Sequence, residues 1–124
     1  MLDFQLVTFF VRDPLASATF YADLLGAPPV EQSATFAMLP LREGVMLGLW
    51  SSATAEPPPS TVTGATEINF AVDGPEEVEA VHAAWAARGL VIAQKPQRME
   101  FGHTFVALDP DGHRLRVLAL APGA

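Results

Sequence analysis

The stretch FGHTFVALDPDGHRLRVLAL, residues 101–120, decides how this chain is read. Two apolar-rich runs flank Asp109-Pro110-Asp111-Gly112. Proline presets a turn angle, aspartate can close a turn through its own side chain, and glycine accepts a positive φ. The four residues therefore read as a tight turn between antiparallel strands, predicted over residues 103–108 and 113–120.

Working outward from this hairpin, residues 95–102 read as a loop and residues 90–93 as a short strand. Upstream, EINFAV (residues 67–72) is a strand, and Asp73-Gly74-Pro75-Glu76 opens a helix. Val78, Val81, His82 and Trp85 share one face of that helix, and Gly89 ends it. The same order stands in the first half. QLVTFFV (residues 5–11) is β-branched and aromatic, as in a strand with both faces covered. Asp13 caps a helix with Pro14 at its first position, Ser17, Phe20, Tyr21, Leu24 and Leu25 recur at helical spacing, and Gly26 stops it. Residues 28–31 suit a short edge strand, where proline is tolerated. Residues 35–39 and 45–50 form a hairpin around Leu41-Arg42-Glu43-Gly44.

Between the halves, SSATAEPPPSTVTG (residues 51–64) has three consecutive prolines and small polar residues, which bar regular structure. The fold expected is α+β: two βαβββ modules, residues 4–51 and 65–120, joined by a Pro-rich connector over residues 52–64. The repeat is visible in spacing, since Asp13 recurs as Asp73 and Gly44 before the last strand recurs as Gly112. A helix covers one face of each sheet and leaves the other open, so two modules side by side can curve into a cleft. On periodicity alone, a ferredoxin-like double sheet is the main rival.

Composition narrows function. A chain of 124 residues, half of them hydrophobic, suits one compact domain or two small halves. Seven basic against fourteen acidic residues give a net charge of -7, leaving no basic surplus to displace phosphate counterions, so nucleic acid is not an expected partner. With no cysteine, disulfides, thiolate metal sites and cysteine nucleophiles are excluded. No apolar stretch nears the roughly 20 residues of a spanning helix, and the first residues carry no basic segment before an apolar run. No membrane partner and a cytoplasmic location are the expectation.

Phe9-Phe10-Val11-Arg12-Asp13, Ser17 to Tyr21, Leu24-Leu25-Gly26 and Asp109-Pro110-Asp111-Gly112-His113 together resemble the glyoxalase, bleomycin-resistance and extradiol-dioxygenase superfamily, the vicinal oxygen chelate proteins. The resemblance covers nearly the whole chain and implies the glyoxalase/bleomycin-resistance fold, a curved mixed sheet with a cleft. Thr35-Phe36-Ala37-Met38, Leu47-Gly48-Leu49-Trp50 and Gly102-His103-Thr104-Phe105-Val106-Ala107 look like the branch of phenazine- or bleomycin-type antibiotic resistance proteins.

Enzymes of that superfamily hold a divalent metal through the first and last strands of each half. Counting from Val11, Val72, Gly44 and Gly112, the matching positions here are Leu6, Glu67, Gly48 and Arg116. One carboxylate beside an arginine is a poor set for a hard cation, which needs several oxygen or nitrogen donors. No metal and no other cofactor are expected, and an ion pair between Glu67 and Arg116, on neighbouring antiparallel strands, is the plain reading of the vacated position.

Strand alternation then groups Leu6, Thr8 and Phe10; Met46, Gly48 and Trp50; Glu67, Asn69 and Ala71; and Arg114, Arg116 and Leu118. Trp50 offers a stacking face and one donor, or simply covers a sheet end or dimer contact. Gly48 leaves room for a ring or marks a bulge. Phe10, Phe36 and Met46 supply apolar walls or plain core, while Thr8, Asn69, Glu67 and Arg116 supply polar contacts. Arg98-Met99-Glu100-Phe101 reads as a lid carrying Met99 and Phe101, or as an anchored loop. His103 and His113 lie outside the metal positions and lack a nucleophile in a recognised arrangement, so structural roles are expected, and His82 reads as helix packing.

The functional expectation is a homodimer that binds and sequesters a small planar aromatic compound, such as a phenazine or bleomycin-like antibiotic, with no catalytic residues. The alternatives are a divalent-metal-dependent lyase or dioxygenase of the same superfamily, and a structural protein whose cleft is filled by its own side chains.

Overall fold

In a computed structural model that describes residues 2–59 and 64–122, both helices begin at proline. Strand β1 (Leu6–Val11) leads into α1 (Pro14–Leu25), where the Asp13 carboxylate accepts from the Ala16 N–H at 3.3 Å. Gly26, at φ 71°, ends α1 by donating to the Ala22 carbonyl. Then follow β2 (Glu31–Gln32), β3 (Phe36–Arg42) and β4 (Val45–Ser51). The second run is β5 (Glu67–Ala71), α2 (Pro75–Ala87), β6 (Val91–Met99), β7 (Gly102–Leu108) and β8 (Arg114–Leu120). Gly74 caps α2 without a side-chain bond, but Glu76 and Glu77 place negative charge at its positive end.

The chain divides into two compact units, Met1–Thr63 and Gly64–Ala124. Residues 60–63 of the expected connector lie outside the described residues. Each unit holds one four-stranded mixed sheet, ordered β1-β4-β3-β2 in the first and β5-β8-β7-β6 in the second. Strands β1 and β4 run parallel, as do β5 and β8, and the remaining pairs are antiparallel. The strands of the two halves do not interleave, which removes the ferredoxin-like alternative.

One face of each sheet packs on its helix. In the first unit Phe9, Val11, Leu39, Leu47 and Leu49 are buried with Ala18 and Tyr21 of α1, and the Tyr21 ring meets Phe9 edge-on. In the second, Val78 of α2 sits among Phe105, Ala107, Val117 and Ala119, flanked by Phe70, Val81, Trp85 and Ile92. Full burial of each large apolar side chain contributes about 1.5–3 kcal/mol. The Asp109-Pro110-Asp111-Gly112 turn is held by the Asp109 carboxylate, which accepts from the N–H groups of Asp111 and His113 at 2.8 Å each.

Two expectations are corrected. The edge strand lies at Glu31–Gln32, overlapping the expected residues 28–31 only at its start, because Pro28 and Pro29 have no N–H to donate and the ladder starts beyond them, at the Val30 bond to the Met38 carbonyl. Residues 95–102 are not a loop: β6 runs on to Met99, pairing Arg98 with His103 and Met99 with Gly102. Pro96 hid this strand from sequence reading. It is tolerated because β6 is an edge strand whose register shifts between Ile92 and Gln94 and again between Gln94 and Gln97. The supposed lid is therefore a strand end and a tight turn.

Candidate functional site

Alternation along the strands sets what each sheet shows on the side away from its helix. In the first unit the pairing places Phe10, Trp50 and Phe36 in one row across β1, β4 and β3. Phe10 and Trp50 have ring centroids 6.3 Å apart at 32°, and Phe36 meets Trp50 edge-on at 6.4 Å and 87°. All three are half-buried, and the indole N–H of Trp50 makes no hydrogen bond among the described residues. The next row is Thr8, Gly48 and Met38, and the one after it Leu6, Met46 and Pro40.

Gly48 does not leave an open slot. A Cβ there would stand 3.3 Å from Leu6 Cδ1 and from two ring atoms of Phe36, so those side chains already use the space. Glycine lets an aliphatic and an aromatic group lie close over the strand, beside the Trp50 row.

The second unit has the same pairing and different chemistry. Glu67, Asn69 and Ala71 of β5 lie beside Arg114, Arg116 and Leu118 of β8, with Val106 and Thr104 next on β7. Glu67 bridges both arginines, one oxygen to Arg114 Nε at 2.9 Å and the other to Arg116 Nε at 3.1 Å. Arg116 Nη1 donates to Gln94 Oε1 at 3.0 Å and to Thr104 Oγ1 at 3.1 Å. The Thr104 hydroxyl in turn donates a hydrogen bond to the Val117 carbonyl at 2.8 Å. Phe101 lies under the Arg116 guanidinium, 5.6 Å from ring centre to Cζ, and Met99 Sδ accepts from Gln94 Nε2 at 3.3 Å. A mostly buried cation is thus fully engaged on two of its three nitrogens, the arrangement a desolvated charge needs.

The structure accordingly groups Phe10, Phe36, Trp50, Thr8, Met46 and Gly48 on one face of the first unit. It groups Glu67, Asn69, Arg116, Met99 and Phe101 on one face of the second. Gln94 and Thr104 were missed as members of the second group. Thr104 was accessible from alternation on β7, but Gln94 was not, because the two register shifts in β6 break its period of two.

The superfamily's metal does not fit these side chains. Leu6 and Gly48 offer no donor, Arg116 is a cation, and both oxygens of Glu67 are taken by arginines. The histidines are engaged elsewhere. His103 Nε2 pairs with Glu79 Oε2 at 2.7 Å, buried His113 bonds Thr66 Oγ1 through Nδ1, and His82 meets the edge of Phe105. A depression of about 440 Å³ lies in the first unit between the end of α1 and β2, lined by Thr19, Asp23, Pro29 and Gln32 among others. It is open and carries no convergent set of reactive groups, so the sheet faces are the better candidates.

No described helix is long and apolar enough to cross a membrane. A 114-residue stretch is 26% identical to the phenazine antibiotic resistance protein EhpR of Enterobacter agglomerans, spanning 90% of this chain and 87% of that one. A solution NMR structure of an Agrobacterium tumefaciens protein is 45% identical, with 98% of each chain covered and a TM-score of 0.82. The crystal structure of a glyoxalase/bleomycin resistance protein/dioxygenase from Nocardioides, 20% identical, covers all of this chain and 87% of its own at a TM-score of 0.83, a likeness of fold alone. The pattern described as the Glyoxalase/Bleomycin resistance protein/Dioxygenase superfamily matches residues 4–117, and the chain, built of two βαβββ units, belongs to that superfamily.

Proposed function

We propose that this protein binds and sequesters a small planar aromatic compound, a phenazine-type or bleomycin-like antibiotic, without transforming it and without a metal. The observation that carries the proposal is the row Phe10, Trp50 and Phe36, whose central indole N–H makes no hydrogen bond among the described residues. Aromatic contacts add about 0.5–1.5 kcal/mol each beyond the area they bury, so stacking on the half-buried indole adds to the burial of the ligand's rings. The likeness to a phenazine antibiotic resistance protein supports the ligand class. The poor donor set at Leu6, Gly48, Glu67 and Arg116 supports binding over metal chemistry. A cytoplasmic homodimer is part of the same proposal.

The test is fluorescence. In a Trp85→Phe background, which leaves Trp50 as the emitter, phenazine titration quenches emission saturably. Trp50→Ala, followed by calorimetry, weakens binding at least tenfold. Unchanged affinity in that variant rules out the stacking role. A second reading, a face filled by the protein's own side chains, is favoured by the crowding of Leu6 and Phe36 over Gly48. It predicts no quenching up to the solubility limit of phenazine.

A further inference from the structure

We infer that the helix-free face of the second unit is an anion site, taking a carboxylate carried on an aromatic ring between Arg116 Nη2 and the Asn69 carboxamide. The inference deepens the proposed binding function and rests on it for the ring, not for the anion.

Three observations carry it. Arg116 is held from several sides: Glu67 takes its Nε, Gln94 and Thr104 take Nη1, and Phe101 lies under the guanidinium. Nη2 makes no hydrogen bond among the described residues. No fully buried side-chain nitrogen or oxygen there lacks a partner, so this corner of a residue only 9% exposed reaches solvent. The immobilisation of a long side chain has been completed in folding, so an incoming acceptor meets fixed donors at little further entropic cost.

The second observation is Asn69. It is the register partner of Arg116 in the parallel ladder, on the same face and two residues on from Glu67. Its side chain is exposed and makes no hydrogen bond among the described residues. Neighbouring strands stand about 4.8 Å apart, a spacing that lets the two oxygens of one carboxylate be shared between an amide N–H and a guanidinium N–H.

The third is charge. Glu67 against Arg114 and Arg116 leaves one positive charge in surplus on this face. The chain as a whole carries -7, but charges farther than about 8 Å are largely screened at physiological salt, so the local surplus governs a bound anion. Charge-assisted bonds of this kind are roughly twice as strong as neutral ones, so a carboxylate outcompetes its amide.

The experiment is an NMR titration of the full chain with benzoate and with benzamide, its neutral counterpart, observing the Asn69 side-chain NH2 and the Arg116 Nε–H. Benzoate is expected to shift both saturably and benzamide neither. Arg116→Gln reduces benzoate affinity at least tenfold. Asn69→Ala, an exposed change that leaves the network intact, reduces it about threefold. No shift with benzoate, equal shifts with benzamide, or full affinity in Asn69→Ala and Arg116→Gln overturns the inference. Benzoate binding without phenazine quenching of Trp50 keeps the anion site and removes the aromatic reading. Quenching without discrimination between benzoate and benzamide does the reverse.

Discussion

Thr8 in the first unit and Asn69 in the second occupy matching places, each on the opening strand and each paired in parallel with the last strand of its sheet. Across from Thr8 stands Gly48, and across from Asn69 stands Arg116. The frames agree down to register, while the faces they present differ completely. One is a row of rings beside a glycine overlaid by Leu6 and Phe36, and the other is an arginine bound by a carboxylate, an amide, a hydroxyl and a ring. A repeated βαβββ frame places side chains without deciding their chemistry, because the helix and the buried face satisfy the stability requirement and leave the opposite face free to vary.

The comparison can be broken first at the frame. Gly102, at φ 144°, has no room for a side chain: a Cβ would stand 2.1 Å from the Ala119 carbonyl oxygen. Gly102→Ala is expected to cost about 3 kcal/mol, read as a lower urea midpoint. Gly26→Ala, at φ 71° with nothing within 4 Å, should cost only about 1 kcal/mol.

It can then be sharpened at the faces. Arg116→Met strands the acceptors of Gln94 and Thr104 and leaves Glu67 with Arg114 alone. We expect a loss of about 2 kcal/mol in urea unfolding. Trp50→Ala, at a half-buried position, should lose about 1 kcal/mol while removing phenazine quenching, so that stability and binding separate on the first face. Arg114→Ala should cost less than about 0.5 kcal/mol, since that side chain is 50% exposed in its pair with Glu67. Equal losses for Arg114→Ala and Arg116→Met would erase the distinction between a rim pair and a buried network.

Much of this was legible beforehand. Asp13-Pro14 and Gly26 bracket α1 because caps are local chemistry, and the Asp109-Pro110-Asp111-Gly112 turn is local for the same reason. The Glu67–Arg116 pair followed from counting to the superfamily's metal positions, but on strands expected antiparallel, whereas β5 and β8 run parallel, a pairing that local sequence does not fix. Gln94 escaped because two register shifts precede and follow it, and Pro96 made a real strand look like a loop. Whether Gly48 leaves room for a ring or marks a bulge stayed open in the sequence, because whether a glycine is empty or overlaid depends on neighbours from other strands.

What the sequence by itself determined was the order of elements, the repeat and the superfamily. Each of these rests on contacts within a few residues or on residue type. What only the tertiary structure decided was which partners surround each open-face side chain. Arg116 draws its ligands from β5, β6 and β7, and the Trp50 row crosses three strands, so both depend on long-range register. Register is set by packing the buried face against the helix, and that packing is a property of the folded unit that no local stretch of sequence contains.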